Sequence, residues 1–127
     1  MLTSEEALQT IFEFYPDFIK QSDHHYDPPR LEVLMCIEMD LFAEYIWNVF
    51  AQEAEPKFSQ LKDLITQLNE YGNETVRYAV QMCFAETLER LNRKTDSPFL
   101  TRLWLSEFGS ILIVYSSYWE EKSSLIK

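Results

Sequence analysis

The 127-residue chain contains little glycine or proline, with two Gly and five Pro. Folds with many short strands need these residues at their turns, so a many-stranded β protein is disfavoured. Hydrophobic residues make up 46% of the chain and aromatic residues 15%, enough to supply a substantial core. A chain of this length is expected to form one domain, residues 1–127, built from a few long helices.

Long apolar runs and N-terminal targeting signals are also lacking. The longest apolar run, Ile111 to Tyr115, is far too short to cross a bilayer. The N-terminus lacks the basic region followed by an apolar stretch that is typical of a signal peptide. These features predict a protein that stays in the cytoplasm.

Cysteine is scarce, since Cys36 and Cys83 are the two thiols of the chain. Both lie in predicted helices among apolar neighbours, and the pattern predicts two buried free thiols in a reducing compartment. We therefore expect both to be reduced and shielded from reagents. A disulfide between the two helices is the alternative, and the sequence does not decide between them.

Basic residues are scarce in the first part of the chain. Residues 1–55 contain twelve Asp and Glu against Lys20 and Arg30, a net charge of −10, whereas residues 56–127 contain nine acids and nine bases. All of the excess charge therefore lies in the first 55 residues. A field of this sign repels nucleic acid and suits a basic protein partner. The competing explanation is that the acidic residues serve solubility alone.

The strongest helical pattern lies between Asn73 and Asn92. Its inward-facing residues recur at spacings of three and four: Val76, Val80, Cys83, Phe84, Thr87, Leu88 and Leu91. The opposite face of the helical wheel carries Tyr78, Gln81, Ala85 and Glu89. Asn73 is a favoured N-cap residue, so a helix is predicted to begin just after it. This helix is expected to pack one face into the core.

Other local signals place the neighbouring helices. Pro56 opens a helix and Gly72 closes it, so residues 57–71 and 74–92 are predicted to pair as an antiparallel hairpin. The first of these two helices carries a narrow apolar stripe of Phe58, Leu61, Leu64, Ile65 and Leu68. A long helix is predicted over residues 30–54, and its apolar face carries Leu31, Leu34, Leu41, Phe42, Tyr45 and Val49, widened by Ile37, Ile46, Trp47 and Phe50.

The two ends of the chain add shorter helices. Thr3 and Glu6 form a capping box at the first helix, and Pro16 ends that helix and starts a second short turn. Further helices are predicted after Ser97-Pro98 and over Ile111 to Trp119. The expected fold is an all-α single-domain bundle of five to seven helices, with antiparallel hairpins and some helical-repeat character.

Catalytic signatures are lacking: the chain has no Gly-rich phosphate loop, no nucleophile elbow and no HExxH sequence. His24 and His25 beside Asp23 and Asp27 suggest a metal site, but adjacent histidines point in different directions and the chain has no further His cluster. A solvated polar loop is the preferred interpretation. We expect no enzyme activity, no catalytic residue, no cofactor and no metal.

Glu38 falls within the apolar arc of the predicted long helix, between Leu34 and Phe42. A carboxylate there is expected either to pair with a basic group of a neighbouring helix or to face a groove. An acid–base pair with Glu86 would be the enzymatic alternative. Glu86 is instead expected at the edge of its helix, in water.

Taken in order, three sequence steps carry a family resemblance: Tyr15-Pro16-Asp17-Phe18, then Met39-Asp40-Leu41-Phe42, then Val76, Val80, Phe84, Glu86 and Leu88. Over residues 5–92 the chain resembles a family of small bacterial helical domains, although Met39 stands where that family tends to have glycine. Members of such families are often immunity proteins beside secreted polymorphic toxins, including contact-dependent growth inhibition systems. The resemblance implies a protein that binds and neutralises a toxin domain.

A nuclease toxin is basic because it binds phosphates. The expected partner is therefore a basic toxin domain, with no direct binding of nucleic acid and no membrane. The predicted docking surface is acidic and consists of Asp17, Asp23, Tyr26, Asp27, Glu32, Asp40 and Glu44. The alternatives are a non-catalytic helical interaction module with an unrelated partner, and a small enzyme that uses a buried glutamate.

Overall fold

A computed structural model describes residues 1–23, 33–51 and 59–94, and most of these residues are helical. Its elements, in chain order, are α1 (Ser4–Phe14), a 3-10 helix (Pro16–Lys20), α2 (Met35–Ala51), α3 (Ser59–Tyr71) and α4 (residues 74–93). Helix α4 changes type along its length: Glu74–Tyr78 and Ala85–Arg93 are α-helical, and the Ala79–Phe84 segment between them is π-helical.

The prediction of a helical fold is confirmed in these three ranges, which contain one isolated bridge and no strand. The predicted number of helices is slightly wrong there, because the described ranges hold four α-helices rather than five to seven. The long helix predicted over residues 30–54 begins at Met35, because the described residues 33 and 34 are not helical. Residues 30–32 and 52–54, and the helices predicted after Ser97, lie outside the described residues. Within those ranges, no helix combines the length and apolar character that a membrane span requires.

The predicted helix caps are confirmed. Thr3 Oγ1 accepts a hydrogen bond from the Glu6 backbone N–H at 3.2 Å, and Glu6 Oε1 accepts one from the Thr3 N–H at 3.1 Å. This bond with the Thr3 backbone lowers the pKa of Glu6, because it favours the carboxylate. Asn73 Oδ1 accepts from the Val76 N–H at 2.9 Å and so caps α4.

The turn between α3 and α4 is tied to the amino end of the chain. The Leu2 N–H donates to the Tyr71 carbonyl at 2.6 Å, and the Asn73 N–H donates to the Leu2 carbonyl at 2.8 Å. Gly72 lies between these two bonds, and a Cβ there would lie 2.5 Å from Val76 Cγ1 and would also meet the Leu68 carbonyl. Glycine is therefore needed at this turn because there is no room for a side chain, and not only because glycine favours the end of a helix.

Helices α3 and α4 form the predicted hairpin. The buried stripe of α3 is the predicted one, with Leu61, Leu64, Ile65 and Leu68 fully buried. Across the hairpin, Gln81 Nε2 donates to Asn69 Oδ1 at 2.6 Å, which places the two helices side by side on either side of Gly72. Phe58, predicted to begin the stripe, lies outside the described residues.

The buried face of α2 differs from the predicted one. Its fully buried residues are Met39, Phe42, Ala43 and Ile46, whereas Leu34, Leu41, Tyr45 and Val49 are only half-buried and Ile37 is exposed. The helix is apolar around most of its circumference, so periodicity alone could not fix which side faces the core. Phe42, Ile46, Trp47 and Phe50 are buried as predicted, so the error concerns the side of the helix that carries Leu41, Tyr45 and Val49, which flanks the core.

Helix α4 also buries more of its surface than expected. The predicted inner face is confirmed, but Ala85 and Glu89, which were assigned to the outer face, are buried as well. The π-helical segment adds backbone to one turn, so a wheel drawn at 3.6 residues per turn misplaces the residues that follow it. Packing of α2 along this part of α4 then covers a wide arc of the helix.

Candidate protein-binding face

The described acidic residues of the first 55 positions divide into an exposed set and a buried pair. Those that reach solvent are Glu5, Glu6, Glu13, Asp17, Asp40 and Glu44, of which Asp40 is half-buried. Asp23 and Glu38 are buried, at 7% and 1% exposure. Within the described residues of this part of the chain, negative charge is therefore carried mainly at the surface.

Two of the predicted docking residues lie on a seam between α2 and α4. Thr87 Oγ1 donates to Asp40 Oδ1 at 2.8 Å, and Arg90 Nη2 lies 3.4 Å from Glu44 Oε1. The Cys36–Cys83 disulfide lies one turn before the Asp40–Thr87 bond on both helices. From the disulfide to the Asp40–Thr87 bond and then to the Glu44–Arg90 pair, the residue numbers rise on both helices. Helices α2 and α4 therefore run parallel along this seam.

The disulfide corrects the expectation of two reduced, shielded thiols. Cys36 and Cys83 are bonded, with their Cα atoms 5.4 Å apart. Cys83 is 5% exposed, but Cys36 is at the surface, so the bond is open to solvent on one side. Two thiols far apart in sequence gave no local signal of their pairing, and their apolar neighbours favoured the wrong alternative.

Tyr45 forms one wall of a cleft between α2 and the end of the 3-10 helix. The cleft has a volume of about 380 Å³ and is lined by Gln21, Leu41, Glu44, Tyr45, Asn48 and Val49. Burial raises the pKa of Tyr45, and the negative charge of Asp17 raises it further. Glu44 thus places a carboxylate in the cleft with this half-buried ring, and Asp17 acts on the ring through its charge.

The ring of Tyr45 is held by other aromatic residues. Its centroid lies 5.6 Å from that of Phe18, 6.3 Å from that of Phe42 and 6.4 Å from that of Tyr15. Phe18 and Phe42 are fully buried and also contact each other edge-on. This packing fixes the wall of the cleft before any ligand arrives.

Glu38 is buried with a polar partner from the segment after the 3-10 helix. Ser22 Oγ donates to Glu38 Oε2 at 2.6 Å, and the two side chains are 4% and 1% exposed. This contact agrees with a paired, structural carboxylate, and Ser22 is a hydroxyl donor to it from another element. Glu86, the other half of the imagined acid–base pair, is exposed, as expected.

The remaining predicted site residues divide in two. Asp17 is exposed on the 3-10 helix, whereas Asp23 is too buried to offer its carboxylate to a partner without rearrangement. Tyr26, Asp27 and Glu32 lie outside the described residues. Among the described residues, no group of three or more His, Cys, Asp or Glu is placed to hold a metal ion.

Sequence reasoning missed Tyr45 and Arg90 as parts of this surface. Tyr45 was assigned to the core stripe of α2, and Arg90 was given no role. The sequence does contain one signal for the seam. Cys36, Asp40 and Glu44 follow one another at intervals of four residues, and Cys83, Thr87 and Arg90 follow one another at intervals of four and three. The cleft had no such signal, because it depends on how Gln21 approaches α2.

These features define a small helical protein with an acidic exposed surface and a preformed cleft on one helix. The chain belongs to the DUF7674 family, a domain of unknown function, whose pattern matches residues 8–120. No curated protein and no solved structure shows significant similarity to it.

Proposed function

We propose that this protein acts by binding a basic protein, and that the partner is the toxin domain of a bacterial secreted toxin, which it neutralises. The observation that carries the proposal is the distribution of charge: residues 1–55 hold the entire net charge of −10. Six of the eight acidic side chains described in that range reach solvent. An acidic surface of this kind accelerates association with a basic partner.

A nuclease domain is the partner that this charge suits best. Nucleases carry Lys and Arg where they hold phosphates, and an acidic protein can occupy the same surface. Covering that surface would block the substrate without any chemistry by the inhibitor. Neutralisation by binding needs neither a metal nor a catalytic group from this chain.

The Cys36–Cys83 disulfide has to be reconciled with the compartment in which the proposed immunity protein would act. An immunity protein that protects its own cell works in the cytoplasm, where thiols are kept reduced. The proposal therefore requires that the reduced protein still folds and binds. The Asp40–Thr87 and Glu44–Arg90 contacts join the same two helices through other residues.

The test is co-expression with a basic nuclease toxin domain, taken from the neighbouring gene where that gene encodes a secreted toxin, scored as cell survival together with association kinetics in vitro. We expect the wild-type protein to protect cells and to bind more slowly as salt rises, because screening shortens the field to about 8 Å at physiological ionic strength. Reversing Asp17 and Glu44 to Lys should slow association on the order of tenfold and weaken protection.

The matched control reverses Asp63 and Glu70, two exposed acids of α3, to Lys. It changes the net charge equally but leaves the proposed surface intact. If both double variants, shown to be folded, protect equally well, the acidic surface serves solubility and the docking surface is wrong. Tight binding to a basic protein without any protection would favour an interaction module with an unrelated partner.

A further inference from the structure

The cleft beside Tyr45 has the composition of a receptor for a cationic side chain. Its volume of about 380 Å³ lies near the lower end of the range for small-ligand sites, about 300–1,000 Å³. Tyr45 offers an aromatic ring, Glu44 a carboxylate, and Gln21 and Asn48 amide oxygens. The half-buried Leu41 and Val49 provide apolar surface for an aliphatic stem.

The fold already contains a guanidinium beside Glu44. Arg90 approaches this carboxylate from the α4 side at 3.4 Å, and both side chains are about half exposed, at 52% and 48%. An exposed pair at this distance is weak and can exchange. Glu44 therefore lies between an internal arginine on one side and the cleft on the other.

We infer that this cleft receives an arginine side chain from the surface of the basic partner. The inference rests on the proposed function, since it names the contact by which that partner is anchored. The guanidinium is planar, stacks on aromatic rings and pairs with carboxylates through two parallel bonds, which a lysine ammonium cannot do. Tyr45 supplies the ring and Glu44 the carboxylate.

Charge complementarity identifies the occupant. Asp17 lies close enough to raise the pKa of Tyr45 through its negative charge, and Glu44 lines the cleft. Of the bases in the described ranges, Lys20 ends the 3-10 helix next to Gln21, and Arg90 is engaged with Glu44. The rigid packing of Tyr45 against Phe18 and Phe42 means that the cleft exists before binding, which lowers the cost of ordering it.

The test is a nuclear magnetic resonance titration of the full chain with N-acetyl-arginine amide. Its uncharged citrulline analogue, N-acetyl-lysine amide and N-acetyl-leucine amide serve as comparison probes. We expect saturable shifts at Gln21, Glu44, Tyr45 and Asn48 with the arginine probe, and weaker binding by the other three. Equal binding of the citrulline or leucine probe would overturn the inference, as would stronger binding of lysine or shifts confined to other surfaces.

Three variants sharpen the result. Glu44→Gln should lower the affinity for the arginine probe about three- to tenfold, because a charge-assisted bond becomes a neutral one. Tyr45→Leu should lower the affinity for this probe about two- to fivefold, because the aromatic ring is lost. Tyr45→Phe keeps the ring and should bind the probe like the wild type. Arg90→Gln should tighten binding up to about fivefold, since it releases Glu44 from its internal partner.

The control variant is Glu70→Gln, an exposed acid on α3, which should leave the affinity unchanged. Nuclear Overhauser contacts between the Tyr45 ring and residues 95–127 would show that the chain fills its own cleft, and would overturn the inference. The outcome is separable from the proposed function. If the arginine probe fails but Asp17→Lys with Glu44→Lys still weakens protection, the acidic surface stands and only the arginine contact is wrong.

Discussion

Thr87 donates its hydroxyl hydrogen to Asp40 Oδ1 across 2.8 Å and so joins α4 to α2 between a disulfide and an ion pair. Thr87 is 4% exposed and Asp40 half-buried, so this bond is partly protected from water. Asp40, which was predicted to face a partner, therefore already accepts a hydrogen bond within the fold. Asp40 can still present its second oxygen outward.

Replacing Thr87 by Val should lower the free energy of unfolding by about 1–3 kcal/mol, because a charge-assisted bond is lost with little change in side-chain shape. Urea unfolding of the variant and the wild type measures the difference. The matched control is Thr75→Val, an exposed threonine in the first turn of α4. Equal stability of Thr87→Val and the wild type would show that the bond contributes nothing.

Reduction of the Cys36–Cys83 disulfide should destabilise the fold. For a sequence separation of 47 residues the loop-entropy relation gives about 4 kcal/mol. We expect Tm to fall by about 10–20 °C in dithiothreitol or in the Cys36→Ala, Cys83→Ala double variant. Because Cys36 is exposed, reductant should reach the bond without global unfolding.

Mass spectrometry after alkylation gives the second measurement for the disulfide. Protein purified under oxidising conditions should show no alkylated cysteine, and the reductant should not change the Tm of the double variant. Two alkylated thiols in the native oxidised protein would contradict the pairing. Trapping the thiols at lysis would report the state of the bond in the cell.

Gly72→Ala should destabilise the protein by about 1–3 kcal/mol, in the range of overpacked sites. The added Cβ would lie 2.5 Å from Val76 Cγ1 and 2.8 Å from Val76 Cβ, so the α3–α4 turn must shift. Thermal unfolding measures the loss, and Gln67→Ala at an exposed position of α3 provides the control. If Val76→Ala rescues Gly72→Ala, the two side chains compete for the same space; absence of coupling would contradict that explanation.

The Tyr45 pKa should fall part of the way toward 10 in Asp17→Asn, because the charge is removed while the burial remains. Tyrosine ionisation followed by ring chemical shifts measures it, with Asp63→Asn as the control. Since the folded-state pKa is raised, the stability linked to Tyr45 is fully present below pH 10 and is lost as the pH rises through that pKa. An unchanged titration in Asp17→Asn would place the carboxylate away from the cleft.

The parts of the fold that the sequence predicted are those set by local contacts. Thr3 with Glu6, Asn73 with Val76 and the stripe of α3 each depend on residues three or four apart. Interactions at that spacing can be predicted from the sequence, because the helix itself brings residues three or four apart into contact.

The parts that it missed depend on which helices meet. Met39 and Ala43 are buried because α2 turns that side toward α4, and an almost wholly apolar helix does not encode its own orientation. The pairing of Cys36 with Cys83 joins elements 47 residues apart. Likewise, the cleft beside Tyr45 exists only where Gln21 meets α2.

The π-helical segment Ala79–Phe84 sets the direction in which the rest of α4 faces. Such a segment holds about one residue more than the α-helical path it replaces. Deleting a single residue there would restore a regular α-helix, and the five remaining residues would cover nearly the same rotation about the helix axis as the six π-helical ones. Thr87 and Arg90 would then still face Asp40 and Glu44. Forcing all six residues into α-helical geometry would instead turn them by about 100° and misalign the whole seam.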